Sequence, residues 1–195
     1  MDEIVKQAIA KWPNVPHCYG WLGLDARGQW RMRDERAQQL DLPGDKLQHT
    51  ALLAFIARNY DVDERGCWYF QNGPQRVYLN LEATPYIARS EPGEGWRLHT
   101  GVTMGPLDAA YLSEAGALIL HSGTVVAQLD DRDFAQVLPM LWMDRAPVAD
   151  EALMAWLEGG KGELSLHLRD AELPVARLAQ DEVAARFGFV RRPAP

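Results

Sequence analysis

The chain has 195 residues, of which 47% are hydrophobic and 24% are charged, and its formal net charge at pH 7 is −7. These values are those of an ordinary globular protein, long enough to bury a core without disulfides or metal ions. The acidic balance argues against nucleic-acid binding, because sequence-independent affinity comes from Lys and Arg that neutralise backbone phosphates. We therefore expect no nucleic-acid partner.

The first residues show neither a basic leader nor a secretory apolar stretch, and nowhere do about 18 apolar residues follow one another. Cys18 and Cys67 are the two cysteines. They are too few for a disulfide framework and lack the paired spacing of zinc ligands. We expect reduced, packed thiols in a cytoplasmic protein that does not bind a membrane.

Helical and extended patterns alternate along the first hundred residues. Apolar residues recur at helical spacing from Ile4 to Trp12, and Pro13 ends the pattern. Alternating apolar runs bounded by glycine turns indicate strands. The predicted elements are a helix over residues 2–11, a hairpin of 19–24 with 29–32, a helix over 48–59, and strands over 68–70, 76–82, 86–89 and 96–100.

The second half is predicted to be richer in strands. An acidic cluster at 130–133 is expected to begin a helix, Asp150 to act as the N-cap of another, and Asp181 to cap a last short one through Phe187. Strands are predicted at 110–112, 117–121, 125–129 and 164–168.

Three turns share one pattern, an acidic residue or serine followed by two further residues and glycine. They lie at 25–28, 63–66 and 113–116. Their unequal spacing favours recurring hairpin turns over a structural repeat. A basic run of Arg31, Arg33 and Arg36 is interrupted by acidic residues, and we interpret it as a solvated face.

These patterns predict an α+β fold in which helices pack on antiparallel β-sheets. Loops rich in Gly and Pro lie at 91–95 and 101–106. We accordingly expect two lobes, an N-terminal α+β lobe over residues 1–100 and a β-rich C-terminal lobe over 101–195.

The segment 68–78 has the sequence WYFQNGPQRVY and lies within a longer recognisable stretch, residues 59–87. This stretch resembles an uncharacterised family of proteobacterial proteins, a domain of unknown function. The resemblance extends to residues 18–30, 99–101 and 185–190, and so to most of the chain. It implies family membership but no activity, cofactor or catalytic residue.

Sequence motifs for common chemistries are missing. The glycines at 159–162 lack the rest of a phosphate-binding loop, and those at 101–105 lack dinucleotide-binding spacing. No two of the five histidines lie three to five residues apart, and no serine has the context of a nucleophile elbow. We expect no cofactor and no metal site.

One predicted strand carries more polar groups than a fold requires. In the segment 76–82, Val77, Leu79 and Leu81 alternate with polar residues, so the apolar set should face the core. The other face and the preceding turn offer a guanidinium, amides and a hydroxyl, which suit a small anionic or polar ligand. The candidate ligand-binding residues are Gln71, Asn72, Gln75, Arg76, Tyr78, Glu82 and His99.

Two interpretations of these residues stay open. In the first, the protein is a binding or accessory protein that recognises a small molecule or a protein partner. In the second, it is an enzyme in which Arg76 holds an anionic substrate and Glu82 or His99 transfers protons. A structural role is the alternative to both, with Arg76 pairing Glu82 or Asp63 to fix the sheet. The sequence leaves the oligomeric state open.

Overall fold

Residues 1–93 and 95–195 are described by a computed structural model, and they form an α+β fold with two β-sheets. Contacts divide them into two units, each with one sheet. Unit 1 consists of residues 1–85 and 187–195, and unit 2 of residues 86–186. The predicted fold class is confirmed.

Unit 1 contains a six-stranded sheet with the order β3-β2-β1-β6-β5-β4. All neighbours are antiparallel except β1 and β6, which are parallel. The elements are α1 (Glu3–Lys11), β1 (Cys18–Leu24), β2 (Trp30–Met32), α2 (Glu35–Gln39), β3 (Asp45–Lys46), α3 (Thr50–Arg58), β4 (Tyr60–Val62), β5 (Trp68–Asn72) and β6 (Gln75–Leu81).

The register of the central strands assigns one face of this sheet to the core. Leu22 of β1 lies opposite Leu79 of β6, and Phe70 of β5 lies opposite Val77. Phe55 of α3 meets Phe70 edge to face, with ring centroids 5.4 Å apart. Leu79 is fully buried and Val77 is half-buried. The predicted apolar face of β6 is therefore the face that α3 covers.

Unit 2 contains a nine-stranded sheet with the order β13-β12-β14-β15-β9-β10-β11-β7-β8, in which β7 with β11 and β9 with β15 are parallel. Its strands are β7 (Tyr86–Glu91), β8 (Gly95–Leu98), β9 (Ala109–Leu112), β10 (Leu118–Ser122), β11 (Val125–Leu129), β12 (Leu141–Met143), β13 (Ala146–Pro147), β14 (Leu164–His167) and β15 (Glu172–Arg177). Its helices are α4 (Phe134–Val137) and α5 (Asp150–Leu157); α6 (Val183–Phe187) follows.

The structure corrects three local expectations. Arg33 is only 6% exposed and donates to the carbonyl oxygens of Leu42 and Ala37, so the basic run is not a uniformly solvated face. Helix α5 begins at Asp150, and its N-cap is Ala149. The three parallel strand pairs are exceptions to the expected antiparallel pairing.

The division into units falls at a different point from the expected one near residue 100. The second unit begins at Tyr86, because β7 pairs with β11 and β8 pairs with β7. Of the expected loop at 91–95, Glu94 lies outside the described residues. The last residues, 187–195, belong to unit 1.

Candidate functional site

Two amide side chains of the β5–β6 hairpin form hydrogen bonds with backbone carbonyl groups. Gln71 is 2% exposed, and its Nε2 donates to the carbonyl oxygen of Gly73 at 2.9 Å. Gln75 donates to the carbonyl oxygen of Pro16 at 2.9 Å. Asn72 is exposed at the end of β5. These three predicted site residues therefore border the turn, and Gln71 is not open to solvent.

The polar side chains that follow along β6 open into a cleft of about 570 Å³, which we call the Arg76 cleft. Arg76 is half-buried, and its guanidinium carbon lies over the ring of Tyr69, 4.5 Å from the centroid. The two residues share a sheet face because Tyr69 lies opposite Tyr78, two places along β6. The cleft is lined by His17, Tyr19, Val62, Asp63, Glu64, Arg65, Arg76 and Tyr78.

Tyr78 is more buried than the alternation predicts, at 2% exposed. Tyr19 stacks on its ring at 4.7 Å with an interplanar angle of 5°, and Tyr69 meets it edge to face at 5.7 Å. Its hydroxyl donates to Oδ2 of Asp63 at 3.0 Å. Thus the ring belongs to a small core, while the oxygen reaches the cleft.

Asp63 organises the charged side of the cleft. Its Oδ1 accepts hydrogen bonds from the backbone N–H groups of Arg65 and Cys67, at 3.0 and 2.9 Å. Its Oδ2 accepts from Nε of Arg65 at 3.1 Å. Burial acts to raise the pKa of Asp63, but these hydrogen bonds and the one from Tyr78 lower it further, so the net pKa lies below its usual value. Asp63 is therefore an ionised partner of Arg65.

The two arginines of the cleft differ in how their charge is matched. Arg65 pairs with Asp63, and its pKa is raised by hydrogen bonds to Tyr19, Asp63 and Tyr78. The pKa of Arg76 is raised chiefly by a side-chain contact with the Tyr78 oxygen, and Asp63 acts on it only through longer-range coulombic attraction. Within the described residues, Arg76 forms no ion pair with a carboxylate, and it does not pair with Glu82 or Asp63.

Cys67 lies behind this site and is not a nucleophile. It is 4% exposed, in one small cluster with Tyr69 and Tyr78. Burial first, and then the Asp63 charge, raise the pKa of its thiol. Because the thiolate is the reactive form, the thiol is inert at neutral pH.

Glu82 lies in a second, smaller cleft of unit 1, with a volume of about 240 Å³. Its Oε2 accepts from the backbone N–H of Ala26 at 3.1 Å. The arginines of this cleft are paired, Arg31 with Asp25 at 2.8 Å and Arg33 with Asp41 at 3.0 Å. Arg192 also pairs with Asp41. The arginine charges of this cleft are therefore matched by carboxylates of the protein.

His99 follows β8 in unit 2, apart from the other predicted site residues, which all belong to unit 1. Its Nδ1 accepts from the backbone N–H of Ile87 at 3.2 Å, and its Nε2 is buried. Burial lowers the pKa of His99 to about 3. The imidazole is therefore neutral at ordinary pH and serves the β7–β8 hairpin.

Of the predicted site residues, the structure brings Arg76 and Tyr78 together in the Arg76 cleft. Sequence reasoning did not propose His17, Tyr19 or Arg65 as site residues. The turn at 63–66, recognised as a hairpin turn, was the available signal for Arg65. Tyr19 reaches the cleft through the parallel pairing of β1 with β6, which no local pattern indicates.

The described residues contain neither a cluster of metal ligands nor a membrane-spanning helix. No group of three or more His, Cys, Asp or Glu in residues 1–93 and 95–195 is arranged to hold a metal ion. No helix in the same part of the chain is long and apolar enough to cross a membrane.

The chain is similar in structure to a DUF1285 family protein from Silicibacter pomeroyi DSS-3, with a TM-score of 0.50 and 12% identity, over 89% of this chain and 94% of that one. A DUF1285 family protein from Shewanella baltica OS155 gives a TM-score of 0.41 and 13% identity, over 60% and 88%. The first of these likenesses supports the fold alone. No curated protein matches the chain.

A family model covers nearly the whole chain. The DUF2944 model, described as a protein of unknown function (DUF2946), matches residues 1–194. Since the match extends over far more than half of the sequence, the chain belongs to this family of proteins of unknown function.

Proposed function

We propose that this protein is a binding protein and that the Arg76 cleft holds an anionic group of a small molecule or a protein partner. One observation carries the proposal. Arg76 lies in an open cleft with its guanidinium stacked on Tyr69, and no carboxylate of the described residues pairs with it. A fixed cation without a protein counter-ion is suited to binding an external anion.

Other arginines show what a structural role looks like in this protein. Arg89 donates through Nε and NH2 to the buried carboxylate of Asp133, at 2.7 and 3.0 Å. Arg33 donates to two carbonyl oxygens and to Asp41. In each case the guanidinium donates its hydrogen bonds to oxygen atoms of the protein. Arg76 contacts the ring of Tyr69 and the oxygen of Tyr78, and neither group neutralises its charge.

The enzymatic alternative gains no support from the geometry. It requires Arg76 to act beside Glu82 or His99. Glu82 lines the second cleft, and His99 belongs to unit 2 with a pKa of about 3. In the Arg76 cleft, Asp63 is ionised and fully engaged by hydrogen bonds.

A cytoplasmic location, the lack of a nucleic-acid partner and the proteobacterial distribution are part of this proposal. The free thiols of Cys18 and Cys67 are compatible with a reducing compartment. The net charge of −7 disfavours binding to phosphate backbones. The thiols support a cytoplasmic location, and the net charge supports the lack of a nucleic-acid partner.

The test is anion binding to the isotopically labelled protein, followed by nuclear magnetic resonance. Acetate, benzoate, phosphate and sulfate are titrated separately into the wild type, Arg76→Ala and Arg36→Ala. We expect at least one anion to shift resonances of Arg76, Tyr78 and Tyr19 in the wild type, and the shifts to vanish in Arg76→Ala. Arg36, an exposed arginine of α2, is the matched control and should not change the response.

Stability measured on the same variants separates binding from a structural role. Arg76→Ala removes the contact with the Tyr69 ring and the contact with the Tyr78 oxygen but no ion pair, so the free energy of unfolding should fall by about 1 to 2 kcal/mol. A loss of several kcal/mol, or shifts from every anion that persist in Arg76→Ala, would contradict the proposal.

A further inference from the structure

We infer that the anion recognised by the Arg76 cleft is a carboxylate next to an apolar, planar group, in preference to a phosphate. This inference deepens the proposed function and rests on it. It follows from three features of the cleft, namely its charge balance, the orientation in which Arg76 is held and the nature of the remaining walls.

The charge balance of the cleft favours a monoanion. Its lining includes two arginines, Arg65 and Arg76, and two carboxylates, Asp63 and Glu64. Asp63 is committed to Arg65 at 3.1 Å, which leaves Arg76 as the cation with unmatched charge. Exposed Glu64 adds a negative charge at the edge. A phosphate dianion would be repelled by both carboxylates with only one unpaired cation to hold it, whereas a carboxylate needs one cation.

The way Arg76 is held favours a planar acceptor. The guanidinium carbon lies over the Tyr69 ring, 4.5 Å from its centroid, so a ligand approaches Arg76 from the side away from that ring, and the N–H groups of the guanidinium lie in one plane. Because the Tyr78 hydroxyl donates its proton to Asp63, its oxygen acts as an acceptor towards the arginines of the cleft. Two parallel N–H groups on a fixed edge match the two oxygens of a carboxylate.

The walls of the cleft favour an apolar body next to the charge. Tyr19 lies half-buried and stacked on Tyr78, and the exposed ring of His17 meets Tyr78 edge to face at 5.7 Å. Val62 is 39% exposed and contributes an aliphatic surface. The volume of about 570 Å³ exceeds what a single carboxylate would fill. A benzene-sized group can therefore lie against these side chains while its carboxylate reaches Arg76.

The closing experiment uses three probes that share a phenyl ring, titrated into the full chain by nuclear magnetic resonance at about pH 8, where a phosphomonoester is a dianion. Benzoate is a planar monoanion, phenyl phosphate a dianion and benzamide a neutral isostere of benzoate. We expect benzoate to bind at the cleft, with phenyl phosphate and benzamide each weaker by about tenfold or more. A short peptide that ends in phenylalanine, with a free or an amidated C-terminus, tests whether the carboxylate belongs to a protein partner or to a small molecule.

Two variants test the separate arguments. Arg76→Lys keeps the charge and loses the planar fork, so benzoate affinity should fall by about tenfold, while Arg36→Lys leaves it unchanged. Glu64→Gln removes an exposed negative charge, so phenyl phosphate should bind more tightly and benzoate should change by less. Both changes are at residues that form no buried ion pair, so the fold is retained.

The outcomes distinguish the inference from the proposal on which it rests. Phenyl phosphate binding as tightly as benzoate, or benzoate binding unaffected by Arg76→Lys, overturns the carboxylate inference and leaves anion binding intact. If benzamide equals benzoate, or none of the probes shifts resonances of the cleft, anion binding itself is overturned. Tighter binding of the free-terminus peptide than of benzoate assigns the carboxylate to a protein partner, and the reverse order assigns it to a small molecule.

Discussion

Aromatic contacts and carboxylates hold the arginines of this protein in different ways. Arg177 and Arg186 also lie over aromatic rings, of Trp156 and Tyr111, but Arg177 is taken up by the carbonyl oxygens of Trp156 and Gly160, and Arg186 by the Tyr111 hydroxyl. Arg76 combines stacking with an open cleft. We therefore expect the charge of Arg76 to contribute little to the stability of the fold.

Burial of His99 should make the stability of the protein fall in mild acid. The folded pKa of about 3 lies below the unfolded value of about 6.5, so the unfolded state binds the proton first. The contribution of neutral His99 is full above about pH 6.5 and is lost towards pH 3, by at most about 1.4 kcal/mol per pH unit. His99→Asn keeps an acceptor for the Ile87 N–H and should lack this loss in urea unfolding between pH 7 and 4.

A matched control for this measurement is His49→Asn. His49 is exposed and accepts from Leu52 N at the start of α3, where asparagine is also a good N-cap. This variant keeps His99 and should retain the loss at low pH. Parallel stability curves for wild type and His99→Asn would show that protonation of His99 does not oppose folding.

At the residue scale, the sequence predicted which face of β6 carries Val77, Leu79 and Leu81, because this follows from the two-residue period of a strand. It placed Tyr78 at an open surface, whereas Tyr19 and Tyr69 cover the ring. That covering depends on which strands flank β6, and alternation within one strand carries no such information. Glu82 is the residue that follows β6, and it lies in the other cleft. Alternation within β6 could not predict this position either, because it depends on the neighbouring strands.

At the scale of elements, the three predicted turns are confirmed as connections between antiparallel strands, at 25–28, 63–66 and 113–116. Each ends in a glycine at positive φ, which is 74° at Gly28, 77° at Gly66 and 76° at Gly116. Other residues rarely adopt this conformation, which explains why each of the three turns has glycine at this position. The turns differ in their surroundings.

Gly66→Ala should destabilise the protein more than Gly116→Ala. Both changes place a Cβ at nearly the same φ, which costs about 1 kcal/mol. At Gly116 nothing lies within 4 Å of the added Cβ, whereas at Gly66 it would lie 2.0 Å from the carbonyl oxygen of Gly188. We expect an additional loss of more than about 2 kcal/mol for Gly66→Ala in urea unfolding. Equal losses for the two variants would contradict the close approach of Gly66 to the backbone of Gly188.

The sequence predicted the elements that have a clear periodic pattern and missed several that lack one. Helices α1 and α3 and strands β5, β6 and β11 were expected near their observed positions. It did not predict α2, β3, β4, β12, β13 or β15, all of which have six residues or fewer. The pairing of β9 with β15 joins segments some sixty residues apart, and such pairing is decided by tertiary packing.

At the scale of the whole molecule, unit 1 is built from both ends of the chain. Val190 N donates to the carbonyl oxygen of Gly66 at 2.9 Å, and Leu81 N donates to that of Arg191 at 2.8 Å. Arg192 pairs with Asp41. The sequence could not predict this return, because residues 187–195 have no periodic pattern that identifies their partner.

Removing residues 187–195 should loosen β6 and the Arg76 cleft. Leu81 loses its backbone acceptor, and the cluster of Cys67, Tyr69 and Tyr78 loses Val190. Hydrogen exchange measured by mass spectrometry should show faster exchange in β5 and β6. Removing only 193–195 keeps Val190, Arg191 and Arg192 and is the control. Equal exchange in the two truncated chains would contradict this dependence on the returning segment.

The return of residues 187–195 to unit 1 also has a consequence for how the chain is made. Translation proceeds from the N-terminus, and domains generally fold as they leave the ribosome. Here the first 85 residues emerge early, yet their sheet gains its last contacts only after the whole of unit 2 has been synthesised. Unit 2 is contiguous and can fold first. The surroundings of the Arg76 cleft would therefore be completed only after residues 187–190 have left the ribosome.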